Sequence, residues 1–293
     1  MFENFSKLGI GTSNIASYGR SISFDNTKRL LDAALEYNIN TLDTADTYGS
    51  GDAERLIGKI IKNNRNKFFI ISKVGYPYLA LPEILSPLNQ FGKKIIQIFK
   101  KNKRFNKKYI LASIEKSLKR LNINCLDSYL LHDFCLNDTI EYSDECFEAL
   151  YLIKKRGLSK SIGISTNDQK TITYAIDNLD IDLIQTKIIF NKNFNPVSKN
   201  KKSKKIKIIV NSILSQRLDN DIDMRFNNLL RIFEIPAEDK KIILITYCLL
   251  KKKVDCALFG TTNINHLKLI GLGYKKYQIN YSQFFNELDK IFI

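Results

Sequence analysis

Four residues of this sequence have side chains whose types and positions suit the donation of a proton. Asp43, Lys73 and His132 each follow a short apolar run directly, and Tyr48 comes five residues after Asp43. An isolated buried charge is very costly, so each run must deliver its charged group to water or to a partner. If the runs are neighbouring parallel strands, about 4.8 Å apart, the four groups converge on one face. The pattern predicts a proton-donating site.

Strand-like and helix-like segments alternate along the whole chain. The predicted strands span 7–11, 159–165, 183–186, 206–213 and 256–260, with three more ending at Asp43, Lys73 and His132. The predicted helices span 25–37, 52–63, 108–121, 144–156, 168–178 and 240–252. Eight such alternations in 293 residues predict an α/β fold, a single (β/α)8 barrel domain over residues 1–293. Outside the plain barrel we expect a long insertion after strand three, at 75–106, and an amphipathic tail at 278–293.

Composition narrows the class of protein. No apolar run approaches the roughly 20 residues of a membrane span, and the first residues lack an apolar signal core, so we expect a cytoplasmic protein. The five cysteines show no C-x-x-C spacing, and two histidines exclude a histidine-rich metal site. The net charge of +16 comes without a nucleic-acid-binding motif. The lysine-rich stretches 93–108 and 199–207 are either solvated surface or a basic rim that attracts an anionic substrate or cofactor.

Short motifs in a fixed order resemble the aldo-keto reductase family and span most of the chain. They are Leu8-Gly9-Ile10-Gly11-Thr12, Asn38-Ile39-Asn40-Thr41-Leu42-Asp43-Thr44-Ala45, Tyr48-Gly49, Glu54 with Gly58, Ser72-Lys73-Val74-Gly75, Leu130-Leu131-His132 and Gly163-Ile164-Ser165. The resemblance implies an eight-stranded barrel, in agreement with the alternation of segments. It also implies a catalytic tetrad of Asp43, Tyr48, Lys73 and His132.

The chemistry of the four side chains is consistent with the roles that the resemblance implies. For hydride reduction of a carbonyl substrate, Tyr48 is expected to donate the proton to the carbonyl oxygen, and Lys73 is expected to favour loss of that proton from a phenol whose ordinary pKa is about 10. Asp43 holds Lys73, and His132 orients the substrate oxygen. Each residue also has a structural interpretation without catalysis. Asp43 could bond backbone amides in a turn, and Tyr48 could be an aromatic residue of a loop. Lys73 could reach solvent from a strand end, and His132 could be a hydrogen-bonded histidine of the core.

The resemblance implies a nicotinamide dinucleotide as cofactor. No Rossmann fingerprint is present, but residues 260–267 suit a phosphate at a helix N-terminus, as barrels provide near strands seven and eight. The expected cofactor-binding residues are Ser165, Asn167, Gln185, Ser212, Arg217, Gly260, Thr261, Thr262, Asn263 and His266. NADP is expected, with NADPH favoured over NADH. Two departures stand out: Thr166 follows Ser165 where the family has asparagine, and 215–218 replaces its Gln-Gly-Leu segment.

The function expected from these features is NADP(H)-dependent reduction of an aldehyde or ketone to an alcohol. The loops 76–106 and 134–144 suit either a sugar-like or an acidic carbonyl compound as the small-molecule partner. One alternative is a non-catalytic, nicotinamide-binding partner subunit with the same fold. Another is a protein of anionic or membrane surfaces that uses residues 92–104, where apolar side chains alternate with lysines.

Overall fold

A computed structural model describes residues 5–15, 23–77, 103–138, 144–190 and 206–292. Eight parallel strands form a closed barrel in chain order, and the last strand pairs with the first. The strands are β1 Leu8–Gly11, β2 Thr41–Asp43, β3 Phe69–Val74, β4 Leu126–Leu131, β5 Ser159–Ser165, β6 Leu183–Lys187, β7 Lys207–Asn211 and β8 Cys256–Phe259. The predicted (β/α)8 architecture is therefore confirmed. Most of the predicted insertion, at 78–102, lies outside the described residues.

The helices surround the barrel and cover it with their apolar faces. They are α1 Phe24–Glu36, α2 Asp52–Ile61, α3 Lys107–Leu121, α4 Glu145–Lys155, α5 Gln169–Asn178, α6 Asn220–Ile232, α7 Lys240–Lys251, α8 Ile264–Tyr277 and α9 Ser282–Phe292. None of these helices has the length and apolarity that a bilayer crossing requires. The amphipathic tail forms α9, which buries Phe284, Phe285, Leu288 and Phe292.

The strands predicted to end at Lys73 and His132 end one residue later and one residue earlier, respectively. Two larger differences concern a helix and the seventh strand. Helix α6 was not predicted, because its asparagines and aspartates mask a thin apolar stripe of Phe226, Leu229 and Leu230. The strand predicted over 206–213 ends at Asn211, since Ser212 adopts a left-handed conformation with φ of 58°. Such a backbone cannot continue a strand.

Strand alternation divides the apolar side chains between two cores. One core lies between barrel and helices, and the other fills the barrel interior with Phe69, Ile71, Leu130, Leu183, Ile209, Cys256 and Leu258, against which Phe5 packs. Because side chains alternate with a period of two, Lys73 shares the inward face of Phe69 and Ile71. At Gly163 the strands approach so closely that a Cβ atom would lie 1.8 Å from the Leu183 carbonyl oxygen.

The same pattern of hydrogen bonds, centred on an aspartate, occurs three times at the bottom of the barrel, where the strands begin. An aspartate in or just before one strand accepts the main-chain N–H near the start of the preceding strand and also pairs with a lysine. The three examples are Asp127 with Ile70 and Lys160, Asp182 with Ile162 and Lys154, and Asp255 with Ile208 and Lys207, at 2.6 to 3.0 Å. Polar residues at this end of a barrel serve stability. The opposite end is left for a site.

Candidate active site

Five polar side chains lie at the top of the barrel interior because of strand parity. Asp43, Lys73 and Ser165 occupy inward positions at the carboxyl ends of β2, β3 and β5, and Gln185 does so on β6. His132 follows β4 in the same register, with its N–H donating to the Val74 carbonyl at 2.7 Å. The structure therefore brings Asp43, Lys73 and His132 to the same end of the barrel interior. Most of this polar set is deeply buried.

The ammonium group of Lys73 is the centre of the cluster. It lies 2.7 Å from Asp43 Oδ1 and donates to the Thr44 carbonyl at 2.8 Å. It also lies 5.2 Å from the centre of the Tyr48 ring, and its positive charge acts to lower the pKa of the Tyr48 phenol. Lys73 has only 1% of its surface exposed, so a buried cation is held between a carboxylate and a phenol.

The pKa shifts of the pair follow from this arrangement. Burial lowers the pKa of the Lys73 ammonium, but the opposing effects of Asp43 and Tyr48 outweigh it, and the net shift is upward. Burial raises the pKa of the Tyr48 phenol, and Lys73 opposes that rise. At neutral pH, therefore, Lys73 is a cation and Tyr48 retains its proton beside it.

An unusual turn presents Tyr48 to the cluster. The 3-10 segment Tyr48–Gly51 contains three consecutive residues with positive φ, namely Gly49, Ser50 and Gly51. Gly51 has φ of 93°, which favours glycine, and a Cβ there would lie 2.7 Å from Arg120 Cδ, so a larger residue would displace that side chain. The turn is therefore specified locally by its glycines and from outside by an arginine of α3.

His132 contacts two tyrosine rings. The Tyr48 ring meets the imidazole edge to face at 6.0 Å between centroids, and the Tyr76 ring does the same at 5.5 Å. The Tyr76 hydroxyl donates to Asp133 Oδ2 at 2.8 Å. Sequence reasoning placed Tyr76 only in a long loop and gave Asp133 no role, since nothing in the sequence indicates this contact.

Gln185 is linked directly to the ion pair. Its Nε2 donates to Asp43 Oδ2 at 3.2 Å, which directs the carbonyl Oε1 away from the carboxylate. That oxygen is buried and has no hydrogen-bond partner among the described residues. Ser165, also buried, is the register neighbour of Gln185 on β5. The pair thus forms a polar wall beside Asp43.

The other residues predicted to bind cofactor lie on the same end of the barrel but are more exposed. Asn167 is exposed, and its Oδ1 accepts the Lys187 N–H at 2.9 Å, extending the end of β6. Thr166 is buried and accepts the Asp168 N–H at 3.2 Å. Ser212 and Arg217 are exposed on the segment that follows β7.

Residues 260–263 connect β8 to α8, and His266 lies in the first turn of α8. Gly260 is exposed, and Thr261 is buried with its hydroxyl accepting the Asn263 N–H at 3.1 Å. Asn263 caps α8 through its Oδ1, which accepts the Asn265 N–H at 2.8 Å. Thr262 and His266 are exposed. A capped, exposed helix N-terminus therefore faces the same end of the barrel as the buried cluster.

A second polar network lies behind the Tyr48 turn and was missed by sequence reasoning. Glu54 accepts from Ser72 Oγ and from Arg120 Nε, both at 2.6 Å. Asp46, fully buried, accepts from Ser113 Oγ at 2.7 Å. Ser113 and Arg120 lie on α3 and read in the sequence as polar positions of a helix, so only the packing of α3 reveals that they are internal.

Comparison with known proteins identifies the family. The sequence model of the Aldo/keto reductase family matches residues 7–271, and the chain belongs to this family. Over 182 residues it is 30% identical to a D-threo-aldose 1-dehydrogenase from a Pseudomonas species, covering 60% of this chain and 55% of that protein. It is 32% identical over 167 residues to an uncharacterised oxidoreductase, YqkF, of Bacillus subtilis, covering 55% of this chain and 48% of that protein. The chain spans about half the length of the curated relatives it matches.

Solved structures share the fold along nearly the whole chain. An aldo-keto reductase from Klebsiella pneumoniae, in complex with NADPH, has a TM-score of 0.71 at 19% identity. The match covers 98% of this chain and 90% of that structure. At this identity the likeness establishes the architecture.

Proposed function

We propose that this protein is an NADP(H)-dependent oxidoreductase that reduces an aldehyde or ketone to an alcohol, with Tyr48 as the proton donor. The observation that carries the proposal is the buried Lys73 cation, held between Asp43 and Tyr48 next to His132. Burying an ion pair carries a large desolvation cost, so its presence here is better explained by a function than by a gain in stability. It suits a site in which a phenol must release a proton.

Each of the four residues of the cluster has a separate role in proton transfer. A carbonyl that accepts hydride develops negative charge on oxygen, which a donor about 3 Å away must neutralise. Tyr48 keeps its proton until that charge develops, because its pKa is raised by burial. Lys73 then stabilises the phenolate, Asp43 anchors Lys73, and His132 orients the substrate oxygen. Since Tyr48 keeps part of its surface exposed, solvent returns its proton.

The polar wall beside Asp43 fits a nicotinamide dinucleotide, which supplies hydride when bound. The buried Gln185 Oε1, with no hydrogen-bond partner among the described residues, matches the N–H donors of a carboxamide, and the Ser165 hydroxyl lies next to it. We infer that these two residues hold the nicotinamide carboxamide. The segment 260–263 and the N-terminus of α8 suit phosphate groups. Asn167, Ser212, Arg217 and His266 are proposed as further contacts.

Two of the similar proteins support NADP as the cofactor and a sugar-like compound as the substrate. A structural neighbour is described with NADPH bound, which supports NADP rather than NAD for this chain. A curated relative acts on aldoses, which supports a sugar-like substrate. The alternative, a non-catalytic nicotinamide-binding subunit, predicts that the protein binds the cofactor without turnover. Measurements of turnover and of cofactor affinity therefore distinguish it from a reductase.

Substitution of Tyr48 tests the proposal. In Tyr48→Phe we expect kcat for a panel of aldehydes, ketones and aldoses to fall by about 10² to 10⁴. The affinity for NADPH, measured by calorimetric titration, should stay within about threefold because the ring and its packing remain. Consumption of NADPH and NADH is followed separately.

Tyr174→Phe is the matched control, since that tyrosine is exposed on α5 and should leave turnover unchanged. Undiminished turnover in Tyr48→Phe would show that another group donates the proton. Tight NADPH binding by the wild type, with no turnover across the panel, would favour the non-catalytic subunit.

A further inference from the structure

The carboxylate of Asp133 lies at the entrance of the candidate active site. Asp133 follows His132 directly and holds a left-handed conformation, with φ of 51°. It is exposed, whereas the neighbouring Phe134 is buried and donates its N–H to the Ser165 carbonyl at 2.8 Å. The buried neighbour anchors the loop, and the backbone turn directs Asp133 outward. A non-glycine residue in this conformation requires support from its surroundings.

That support comes from Tyr76. The Tyr76 hydroxyl donates to Asp133 Oδ2 at 2.8 Å, and the Tyr76 carbonyl accepts from the Tyr109 hydroxyl at 3.0 Å. The same Tyr76 ring contacts the His132 imidazole. Burial, followed by the Asp133 charge, raises the pKa of the Tyr76 phenol, so its hydroxyl remains a donor. One tyrosine therefore connects the carboxylate to the residue proposed to orient the substrate oxygen.

Lys103 binds the backbone of the loop that carries Asp133. Its ammonium group donates to the main-chain carbonyl of Asp133 at 2.5 Å and pairs with Asp138 Oδ2 at 3.1 Å. Asp138 also accepts from the Cys135 N–H at 2.7 Å. The lysine and its partners thus stabilise the loop, while the Asp133 carboxylate remains an acceptor that faces solvent.

The carboxylate is near enough to influence the reacting group. Burial is the main cause of the raised pKa of the Tyr48 phenol, and Lys73 and Asp43 act on it more strongly than Asp133, which adds a small rise. A carboxylate within electrostatic range of the bound carbonyl accepts hydrogen bonds from hydroxyl groups and repels anions. The sequence left open a sugar-like or an acidic carbonyl compound as the substrate. The two effects of Asp133 favour the sugar-like compound.

We propose that Asp133, positioned by Tyr76, binds a hydroxyl group of the substrate and disfavours carbonyl compounds that carry a carboxylate or phosphate. This inference rests on the proposed reductase function and specifies its substrate class as neutral and hydroxylated. Asp133 is then a specificity-determining residue, and Tyr76 is a positioning residue for it.

Three aldehydes of similar size test the inference: glyceraldehyde, propanal and succinic semialdehyde. Values of kcat/KM are measured with NADPH for the wild type, Asp133→Asn and Tyr76→Phe, and each is divided by the value for propanal in the same variant. In Asp133→Asn the glyceraldehyde ratio should fall about tenfold, because a charged acceptor is lost. The succinic semialdehyde ratio should rise about threefold or more, and this gain should shrink at about 0.5 M salt.

Tyr76→Phe separates positioning from charge. It keeps the carboxylate but removes the bond that holds it, so the glyceraldehyde ratio should fall while the succinic semialdehyde ratio stays within about twofold. Glu148→Gln, which removes an exposed carboxylate from α4, is the control for general charge and should move neither ratio.

The outcomes are distinguishable from failure of the proposed function. Equal changes for all three aldehydes in Asp133→Asn, or none, would overturn the specificity role and leave the reductase standing. No turnover of any aldehyde by the wild type, with either nicotinamide, would overturn both.

Discussion

Buried Asp46 makes the stability of this protein depend on pH in a way that one substitution can isolate. The side chain is fully buried, two residues before Tyr48, and its N–H donates to the Lys73 carbonyl at 3.2 Å. Burial, together with the nearby Glu54 carboxylate, raises the pKa of Asp46 from 3.8 to about 8. Oδ2 accepts from Ser113, whereas Oδ1 has no hydrogen-bond partner among the described residues. The neutral acid is therefore the form that the folded protein prefers.

The sign and size of the effect follow from linkage. Between about pH 4 and pH 8 the unfolded chain has lost the Asp46 proton while the folded protein retains it, so folding stability falls as pH rises. The slope is about 1.4 kcal/mol per pH unit. From about pH 5 to pH 7.5 the carboxyl group therefore lowers the free energy of unfolding by about 3 kcal/mol. Asp46→Asn keeps the shape of the side chain but cannot titrate. The contribution of this residue to the pH dependence of the free energy of unfolding should therefore vanish.

Urea denaturation of both proteins at the two pH values is the assay. Any constant cost of burying the new amide cancels when the two pH values are compared within each variant. The wild type should lose about 3 kcal/mol more stability than Asp46→Asn over this range. Asp32→Asn, at an exposed residue, is the control and should follow the wild type. Parallel behaviour of the wild type and Asp46→Asn would refute the argument that Asp46 is neutral in the folded state.

Three further predictions, the first with a control substitution, test the fold and the site. Gly163→Ala should prevent stable folding, because its Cβ would overlap the Leu183 carbonyl, whereas Gly157→Ala, at φ of 72° in open space, should cost about 1 kcal/mol in thermal denaturation. Asp182→Ala should lower the free energy of unfolding by about 2 kcal/mol in urea, since the Ile162 N–H and the Lys154 ammonium lose their acceptor. Gln185→Leu should weaken NADPH binding about tenfold by calorimetry, because the buried carbonyl is lost.

Regular patterns made the barrel and its charged strand ends predictable. Short, continuous apolar runs, each ending in a charged residue, place Asp43 and Lys73 at the carboxyl ends of parallel strands, where a barrel carries its site. Strand β5 was predicted with its observed bounds. The resemblance to the family added the roles of Tyr48 and His132, which composition and spacing do not provide. Those roles remain a prediction.

Features that depend on helix packing were not predictable. Asp46 and Glu54 read as ordinary acids in a loop and on an amphipathic helix, yet both are buried against Ser113 and Arg120 of α3. Helix α6 was missed because its polar composition resembles a loop.

The sequence by itself determined the alternation of strands and helices and the order of the motifs, since these depend on residues close together along the chain. Only the tertiary structure decided that Gln185 reaches Asp43, 142 residues away, and that Tyr76 holds Asp133 across 57 residues. Local periodicity specifies which face of a strand a side chain occupies. Closure of the barrel then decides which of those side chains come within hydrogen-bonding distance.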